Sequence, residues 1–345
     1  MTDYPSAPEQ DVAVLSRIRL ARNYEDFPFS PVIGAEETEL ITQRVWTSVE
    51  MNGQADAFHF HHLSKMPEDE QGRLLDRFQI SNDLLKYRDN AAVMLSKGET
   101  ISNKVGEEDH LRIFGLMPGL QLEIAADLAY KADSWLEKGS PFAFDNQFGY
   151  LTTSPSNAGS GMRGLILMHL PTLRAAGQIT RVSQEVAKLG LTLRGQYSEG
   201  NEADGNLYQL TSNAALGRPE EDVIRSLIAA ATQIIEVERG VREKMLEQDE
   251  LSVTDRLFRS IGILRNARLM SDKEWMQRWS DLRLAAVIGL IDGSIAEIDR
   301  LMMDLQPHSL NASVGKSLSE RERGTLRADI LRSKMTEMPN ALVEI

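Results

Sequence analysis

Short strand-like segments fill the chain as far as about residue 217 and become rare beyond it. They are separated by Gly, Asn and Ser turns, and amphipathic helical segments lie between them. The predicted strands are 11–22, 91–95, 111–114, 150–153, 191–194 and 207–211, and the predicted helices are 35–49, 69–76, 120–136, 164–176 and 179–189. Hairpins interspersed with helices favour an α+β domain with a mainly antiparallel sheet over repeated βαβ units.

A helical pattern replaces the strands after Gly217. Pro219 followed by three acidic residues marks a helix start, and Ser271 with Glu274 has the spacing of a capping box. Strand signals are nearly absent from residue 241 onward. We therefore predict two domains, an α+β domain at 11–240 and a helical C-terminal domain at 241–345, which suits a chain of 345 residues.

The composition excludes several classes of function. With 51 acidic and 38 basic side chains the net charge is −13, which disfavours general binding to nucleic acid or to an anionic membrane. The absence of Cys excludes disulfides, thiolate metal sites and a cysteine nucleophile. The polar N-terminus lacks a signal-peptide pattern and no long uncharged apolar run occurs, so we expect a cytoplasmic protein.

Familiar nucleotide motifs are missing or poorly placed. The chain has neither a Gly-x-x-x-x-Gly-Lys-Ser/Thr loop nor a His-Arg-Asp catalytic loop, so the P-loop and protein-kinase-fold readings lack their key parts. Gly159, Gly161 and Gly164 spell Gly-x-Gly-x-x-Gly. That motif should directly follow a buried parallel strand, and here it follows a polar turn, which disfavours dinucleotide binding.

Arginines recur on or beside the predicted strands, at Arg17, Arg19, Arg112, Arg163 and Arg194. A guanidinium is always charged and presents a planar fork of donors, so several that converge would neutralise a polyphosphate. Each one alone is more often a solvated surface charge. Sequence spacing leaves both interpretations open.

Carboxylates cluster in an acidic turn that contains Glu107 and Glu108, and Glu199 follows in a later Gly-rich stretch. Adjacent carboxylates in a turn are suited to orienting a cationic substrate, accepting its proton and helping to position Mg²⁺. The alternative is a solvated acidic turn without a catalytic role.

Four segments occur in the order and spacing of the phosphagen (guanidino) kinases. They are LSRIRLARN at 15–23, EEDHLR at 107–112, SPSNAGSGMR at 154–163 and RGQYSE at 194–199. The chain most closely resembles the bacterial protein arginine kinases, which begin almost at the first arginine motif and carry an extra helical C-terminal domain. The resemblance covers residues 11–345.

The resemblance implies a phosphagen-kinase-like catalytic domain that uses ATP with Mg²⁺. It places Ser16 and the cluster of Arg17, Arg19, Arg112, Arg163 and Arg194 around the nucleotide, with Phe78 near the adenine. It makes Glu108 the catalytic base, Glu107 its neighbour near magnesium, with no direct metal ligand assigned, and Glu199 the second carboxylate that grips the guanidinium. Ser154 joins these carboxylates in substrate binding.

Some positions depart from the family pattern. Ser154 replaces a Cys, Leu15 replaces the first Ser of the arginine motif, and Gly106 replaces an Asn. Near the C-terminus, Arg323 and Arg327 match a motif by which these kinases sense phosphoarginine, but Gly324 stands in place of its Asp. Allosteric sensing is therefore a weaker expectation than catalysis.

The leading hypothesis is a protein arginine kinase that marks proteins for quality control. The alternatives are a kinase of a free guanidino metabolite and a weakly active homologue that binds phosphoarginine or partners. The resemblance also implies a homodimer, an activating adaptor and a Clp-type unfoldase as partners. The acidic net charge leads us to expect no nucleic-acid or membrane partner.

Overall fold

One antiparallel sheet organises the first two thirds of the chain. The computed structural model describes residues 6–30, 32–138, 140–196, 203–213 and 218–340. The strands in these ranges are β1 Ala13–Arg22, β2 Phe58–His62, β3 Ala92–Ser96, β4 Ile101–Val105, β5 Leu111–Pro118, β6 Phe144–Asp145, β7 Gly149–Tyr150, β8 Met162–His169, β9 Leu191–Gly195 and β10 Leu207–Ser212. Within the described ranges the sheet has eight strands in the order β2-β3-β4-β5-β1-β8-β10-β9, and β6 pairs with β7 in a separate ribbon.

Helices flank the sheet and then take over the chain. Those of the first two thirds are α1 Ala35–Met51, α2 Glu68–Asp76, α3 Asn82–Lys86, α4 Leu122–Glu137, α5 Pro171–Ala175 and α6 Ile179–Ala187. Those of the last third are α7 Glu220–Asn266, α8 Asp272–Val287, α9 Ile295–Asp304, α10 Pro307–Val314 and α11 Glu320–Glu337. The predicted α+β class with an antiparallel sheet and a helical C-terminal region is confirmed.

The alternating side chains of β1 define the two faces of the sheet. Ile18 and Leu20 are fully buried in a first core that also contains residues of α1, α4, α6 and the start of α7. Because side chains alternate along a strand, Arg17 and Arg19 lie on the opposite face. The alternating apolar and basic residues of this segment therefore lie on the core face and on an arginine-bearing face, respectively.

A second core joins the arginine-bearing face to the C-terminal helices. Leu15 and Leu165 of the sheet are buried with Trp275 and Trp279 of α8 in one hydrophobic cluster, to which α7, α9 and α11 also contribute. Leu165 is paired in register with Arg17, so this core begins directly beside the arginines. The C-terminal helices thus cover one end of the same face.

Two predicted elements are wrong. Residues 164–176 were expected to form a helix, but they form most of β8 followed by the short helix α5. β8 lies between β1 and β10 and is buried almost throughout, so its apolar run has no period that distinguishes a strand from a helix. The predicted strand at 150–153 is reduced to Tyr150, which pairs with Phe144 in the β6–β7 ribbon.

Helix α7 connects the two cores without a linker. Pro219 precedes it as predicted, and the helix continues to Asn266 with one non-helical residue, Asp249. The predicted domain division after residue 240 falls inside this helix and remains a prediction. Within the described ranges, none of the helices has the length and apolarity needed to cross a membrane.

Candidate active site

The register of the sheet brings the predicted arginines together on one face. Arg19 lies directly opposite Arg163 in the β1–β8 pair. Arg17 is paired with Leu116 and Arg19 with Phe114, so Arg112, two residues before Phe114, shares this face. Arg194 on β9 is paired with Gln209 of β10 on the same side. The arginines of four separate strands therefore converge, as the sequence hypothesis requires.

A cleft of about 290 Å³ opens over this face. Its lining residues are Arg17, Arg19, Arg163, Gly164, Leu165, Thr192, Arg194, Gln209, Thr211, Ser212 and Asn213. Four guanidiniums and several neutral hydrogen-bonding side chains surround it, whereas no carboxylate of the described residues lines it. Such a lining suits a polyanion.

The guanidiniums of this face repel one another. Burial, reinforced by the charge of Arg194, lowers the pKa of Arg17 to about 10. Burial together with the charges of Arg112 and Arg163 lowers the pKa of Arg19 to about 9. Like charges placed directly opposite each other destabilise a sheet, so a bound anion is the natural counterpart of this arrangement.

A short turn before β8 holds two of the arginines in place. Arg19 Nη2 donates to Asn157 Oδ1 over 2.7 Å, and Arg163 Nη2 donates to Ser156 Oγ over 3.3 Å. The hydroxyl of Ser154 lies 2.9 Å from that of Ser156, so Ser154 borders the cleft through this serine pair. Sequence reasoning did not assign Ser156 and Asn157 a role, although both lie within the quoted motif.

The acidic turn before β5 is joined to the arginine-bearing face of the sheet by Arg112, which does not itself line the cleft. Its guanidinium forms an ion pair with Glu107 through Nη1 and with Glu108 through Nη2. The Glu107 side chain is only 1% exposed and also accepts a 3.2 Å hydrogen bond from Ser81, whereas that of Glu108 is 41% exposed. Glu108 is therefore the carboxylate that an incoming molecule reaches.

The backbone of this turn explains one departure from the family pattern. Gly106 has φ +78°, in the left-handed region, and a Cβ at this position would lie 2.8 Å from Thr38 Cγ2. Glycine meets both requirements, because it has no Cβ and adopts positive φ without strain. The substitution of Asn by Gly therefore preserves the turn.

Buried hydrogen bonds of Asp109 and His110 hold the acidic turn in place. Asp109 Oδ1 accepts from Asn23 Nδ2 at 3.0 Å and from the Thr153 amide at 2.8 Å. His110 Nδ1 accepts from the Tyr24 amide at 3.0 Å, which leaves Nε2 to donate to the Pro28 carbonyl at 2.9 Å. Burial lowers the pKa of His110, so the ring is neutral in this bridging role.

Lys104 is a cation of the site that sequence reasoning missed. It lies on β4 in register with Arg112 and is 2% exposed, with Nζ 4.1 Å from the centroid of the Phe114 ring. Burial, opposed in part by Glu107, lowers the pKa of Lys104 to about 7. The only available signal was its position three residues before Glu107 of the acidic turn.

Three predicted site residues lie elsewhere or cannot be placed. Ser16 is on the opposite face of β1, where its hydroxyl donates to the Gly119 carbonyl at 2.8 Å and accepts from the Gln121 amide at 3.0 Å. Phe78 lines a small apolar cavity beside Leu15 rather than the arginine cleft. Glu199 lies outside the described residues. Within the described ranges, no group of three or more His, Cys, Asp or Glu is arranged to hold a metal ion.

The predicted phosphoarginine sensor is largely internal. Arg327 is 1% exposed and donates to the Leu305 carbonyl at 2.9 Å and to the Met270 carbonyl at 2.7 Å, in addition to its ion pair with Asp272. Arg323 donates to the Leu318 carbonyl at 2.6 Å.

Position 324 is crowded, because a Cβ there would lie 2.8 Å from Leu269 Cδ1. This crowding accounts for Gly at the position where the family motif has Asp. A larger side chain needs the neighbouring leucine to move. Sensing by Arg323 and Arg327 remains a prediction.

Comparison with known proteins gives a consistent result along the whole chain. The family model of the ATP:guanido phosphotransferase C-terminal catalytic domain matches residues 40–241, and that of the protein-arginine kinase McsB C-terminal domain matches residues 250–344. A protein-arginine kinase of Halalkalibacterium halodurans is 38% identical over 95% of this chain and 93% of its own length. One from Caldanaerobacter subterraneus subsp. tengcongensis is 34% identical over 95% and 98%.

Solved structures support the fold. The duplicated taurocyamine kinase from Schistosoma mansoni matches with a TM-score of 0.58 and 23% identity over 66% of this chain and 33% of its own. A lombricine kinase structure also has a TM-score of 0.58, with 21% identity over 68% of both chains. With the sheet, the arginine cleft and the acidic turn in place, these matches show that the chain belongs to the ATP:guanido phosphotransferase family and, within it, to the protein-arginine kinases.

Proposed function

We propose that this protein transfers the γ-phosphoryl group of ATP to arginine side chains of proteins. One observation carries the proposal: arginines from four strands share one sheet face, and one of them, Arg112, bridges to the carboxylate pair Glu107 and Glu108. A phosphate site and a guanidinium site are thereby adjacent. The names of the relatives, protein-arginine kinases, give the acceptor class.

The phosphate side works by charge neutralisation and positioning. Phosphoryl transfer requires little covalent help from the enzyme, because its transition state spreads negative charge over the transferred oxygens. Arg17, Arg19, Arg163 and Arg194 line the cleft in which this charge would develop. Fixed guanidiniums supply that stabilisation without reorganisation at the moment of reaction.

The residues present fit Mg²⁺ only when it arrives with the nucleotide. Each oxygen of Glu107 accepts one hydrogen bond, from Arg112 or Ser81, and keeps a lone pair for a water on the metal. Mg²⁺ prefers oxygen ligands and usually retains several waters when it binds phosphates. Held near Glu107 in that way, Mg²⁺ would supply charge neutralisation for the phosphates.

The acceptor side needs a base. A guanidinium with a pKa above 12 is a poor nucleophile while protonated. In the proposed step an Nη atom of the substrate arginine attacks the γ-phosphorus as Glu108 accepts its proton. The bond from the γ-phosphorus to the bridging oxygen breaks, its electron pair leaves with ADP, and phosphoarginine forms.

Arg112 links the two sides. Its guanidinium forms an ion pair with Glu108, the carboxylate to which the proposed mechanism assigns the substrate guanidinium. Phosphate oxygens compete for the same Nη2 donor, so we expect nucleotide binding to release Glu108 for the acceptor. Glu199 and Ser154 complete the proposed acceptor site on the strength of the resemblance.

Replacement of Glu108 tests the proposal. The variant Glu108→Gln keeps the shape of the side chain and removes the base, so we expect the rate of protein phosphorylation to fall by about 10²–10⁴-fold, with nucleotide binding retained. Acid-labile phosphate on an unfolded, Arg-containing protein is the readout.

Glu123→Gln, which alters an exposed carboxylate on α4, is the matched control and should leave the rate unchanged. Equal rates for Glu108→Gln and the unaltered protein would contradict the assignment of the base. Phosphate found solely on Ser, Thr or Tyr would contradict the function itself.

The choice of acceptor separates the proposal from a metabolite kinase. Free arginine, creatine and an unfolded Arg-containing protein are offered in parallel with MgATP. We expect acid-labile label in the protein pool and little in the free guanidino compounds. The reverse distribution would favour the metabolite kinase, and no transfer to either would favour a binding homologue.

The cellular role is an extension of the same proposal. A kinase that uses ATP on protein arginines is expected in the cytoplasm, acting as a homodimer and marking substrates for quality control with an adaptor and a Clp-type unfoldase. These points depend on the resemblance to protein arginine kinases. Light scattering of the purified protein tests the dimer, for which the monomer mass is 38.6 kDa.

A further inference from the structure

Lys104 occupies the acidic end of the site without a polar partner. Its ammonium group lies over the Phe114 ring at 4.1 Å, and the same ring has the Arg17 guanidinium at 5.3 Å. Among the described residues, none forms an ion pair or a hydrogen bond with Lys104 Nζ. A buried Lys is rare unless it is paired, so this position calls for a ligand.

The sheet order fixes which part of a nucleotide would meet this lysine. β4 with Lys104 and β9 with Arg194 are separated by four intervening strands, or about 24 Å at 4.8 Å per strand spacing. A single phosphate group cannot contact both. Lys104 is paired with Arg112, which contacts Glu108, so it stands at the end where the phosphoryl group is transferred.

The charges around Lys104 favour an anion as that ligand. The charged groups that act on it are Glu107, Arg17, Arg112 and Arg19, and Asp83 of α3 also senses its charge. Burial is the main cause that destabilises the ammonium form relative to water, the three arginines add to this effect, and Glu107 opposes it in part. A phosphate that binds beside Lys104 stabilises the ammonium form instead.

We propose that Lys104 is a further phosphate-binding residue, which contacts the terminal phosphoryl group of the bound nucleoside triphosphate and positions it for transfer. The inference rests on the proposed function, since it takes ATP as the ligand of the arginine cleft. It adds a contact from β4, a strand outside the motifs of the sequence.

The test compares ATP with ADP on the full-length protein. Lys104→Met retains length and apolar contact with Phe114 and removes the charge. We expect Kd for MgATP to rise about ten- to a hundredfold, the effect of losing one charge-assisted hydrogen bond, and Kd for MgADP to change by less than about threefold. Lys104→Arg should recover most of the MgATP affinity.

Proton uptake on nucleotide binding is a second measurement, and a lysine with a purely structural role would not change it. Calorimetric titration with MgATP at pH 8 in two buffers of different ionisation enthalpy should show proton uptake by the unaltered protein, which is reduced in Lys104→Met. The matched control is Lys131→Met, since Lys131 also lies over an aromatic ring, Trp135 at 5.4 Å, but on helix α4 outside the cleft. It should leave both nucleotide affinities and the proton uptake unchanged.

Unchanged MgATP affinity in Lys104→Met would overturn the inference. An equal loss for MgATP and MgADP that Lys104→Arg does not recover would also overturn it, because that pattern indicates disturbed packing of β4. These outcomes leave the proposed function intact as long as the unaltered protein phosphorylates arginine. Failure of that activity would instead remove the proposed function.

Discussion

A single buried amine gives the site a titration near neutral pH. The pKa of a lysine in an unfolded chain is about 10.4, and burial beside Glu107 and the arginines holds that of Lys104 at about 7. Between these two values the unfolded chain binds a proton that the folded chain does not. Folding therefore becomes less favourable as the pH falls from about 10 to about 7.

The stability of Lys104→Met relative to the unaltered protein should consequently depend on pH. From pH 9 to pH 6 the unaltered protein should lose roughly 2–3 kcal/mol of unfolding free energy relative to the variant, which has no amine to titrate. Urea unfolding without nucleotide at both pH values measures the difference. A stability difference that is independent of pH would show that the amine is not depressed in the folded state.

At the scale of elements, the close contact between β5 and α4 positions the acidic turn. Gly115 of β5 allows it, because a Cβ at this position would lie 1.9 Å from the Ala125 carbonyl oxygen and 3.0 Å from the Ala129 amide nitrogen. Both neighbours belong to the backbone of α4, so neither moves as a flexible side chain does. The helix therefore packs directly on the strand that carries Arg112.

Gly115→Ala should separate this strand from the helix. We expect it to destabilise the fold by about 1–3 kcal/mol or more, the usual cost of overpacking, and to lower phosphorylation activity. Gly262→Ala is the matched control, because a Cβ in that part of α7 meets nothing within 4 Å. It should be neutral or stabilising by up to about 1 kcal/mol. Unfolding midpoints of both variants test the comparison, and similar shifts would contradict it.

The sequence predicted β1, β3, β5, β9 and β10 as strands, but it missed β4 and took most of β8 for a helix. In β1, apolar and basic residues alternate, which is typical of a strand with two different faces. β8 and β4 are buried along almost their whole length, and β4 carries the polar residues Ser102, Asn103 and Lys104, so neither shows a strand pattern. Whether the arginines converge depends on the register of the strand pairs. The spacing of residues along the chain does not determine that register.

At the scale of the whole molecule, one buried guanidinium joins both ends of the chain. Arg283 of α8 is fully buried, pairs with Asp299 of α9 at 2.7 Å, and donates to the carbonyls of Gln10 at 2.6 Å and Asp11 at 2.9 Å. The segment that leads into β1 is thus bonded to two C-terminal helices.

Arg283→Met should weaken the whole fold, because it leaves Asp299 buried without its partner. We expect a loss of about 3–5 kcal/mol of unfolding free energy. Arg259→Met, which removes an exposed pair with Asp255, should leave the unfolding midpoint unchanged. Denaturant unfolding measures both variants. A stable Arg283→Met protein would mean that water or a shifted helix satisfies the carboxylate.

The second core constrains which substitutions the sequence can accept. Leu15 and Leu165 of the sheet are packed in one cluster with the tryptophans of α8. Substitutions in the sheet and in the C-terminal helices at these positions must therefore remain compatible with each other. A chimera that takes its C-terminal helices from a relative at about a third sequence identity should fold poorly until the matching sheet residues are transplanted with them. Exchange of the C-terminal helices alone is therefore expected to disrupt this core, whereas paired substitutions on both sides preserve it.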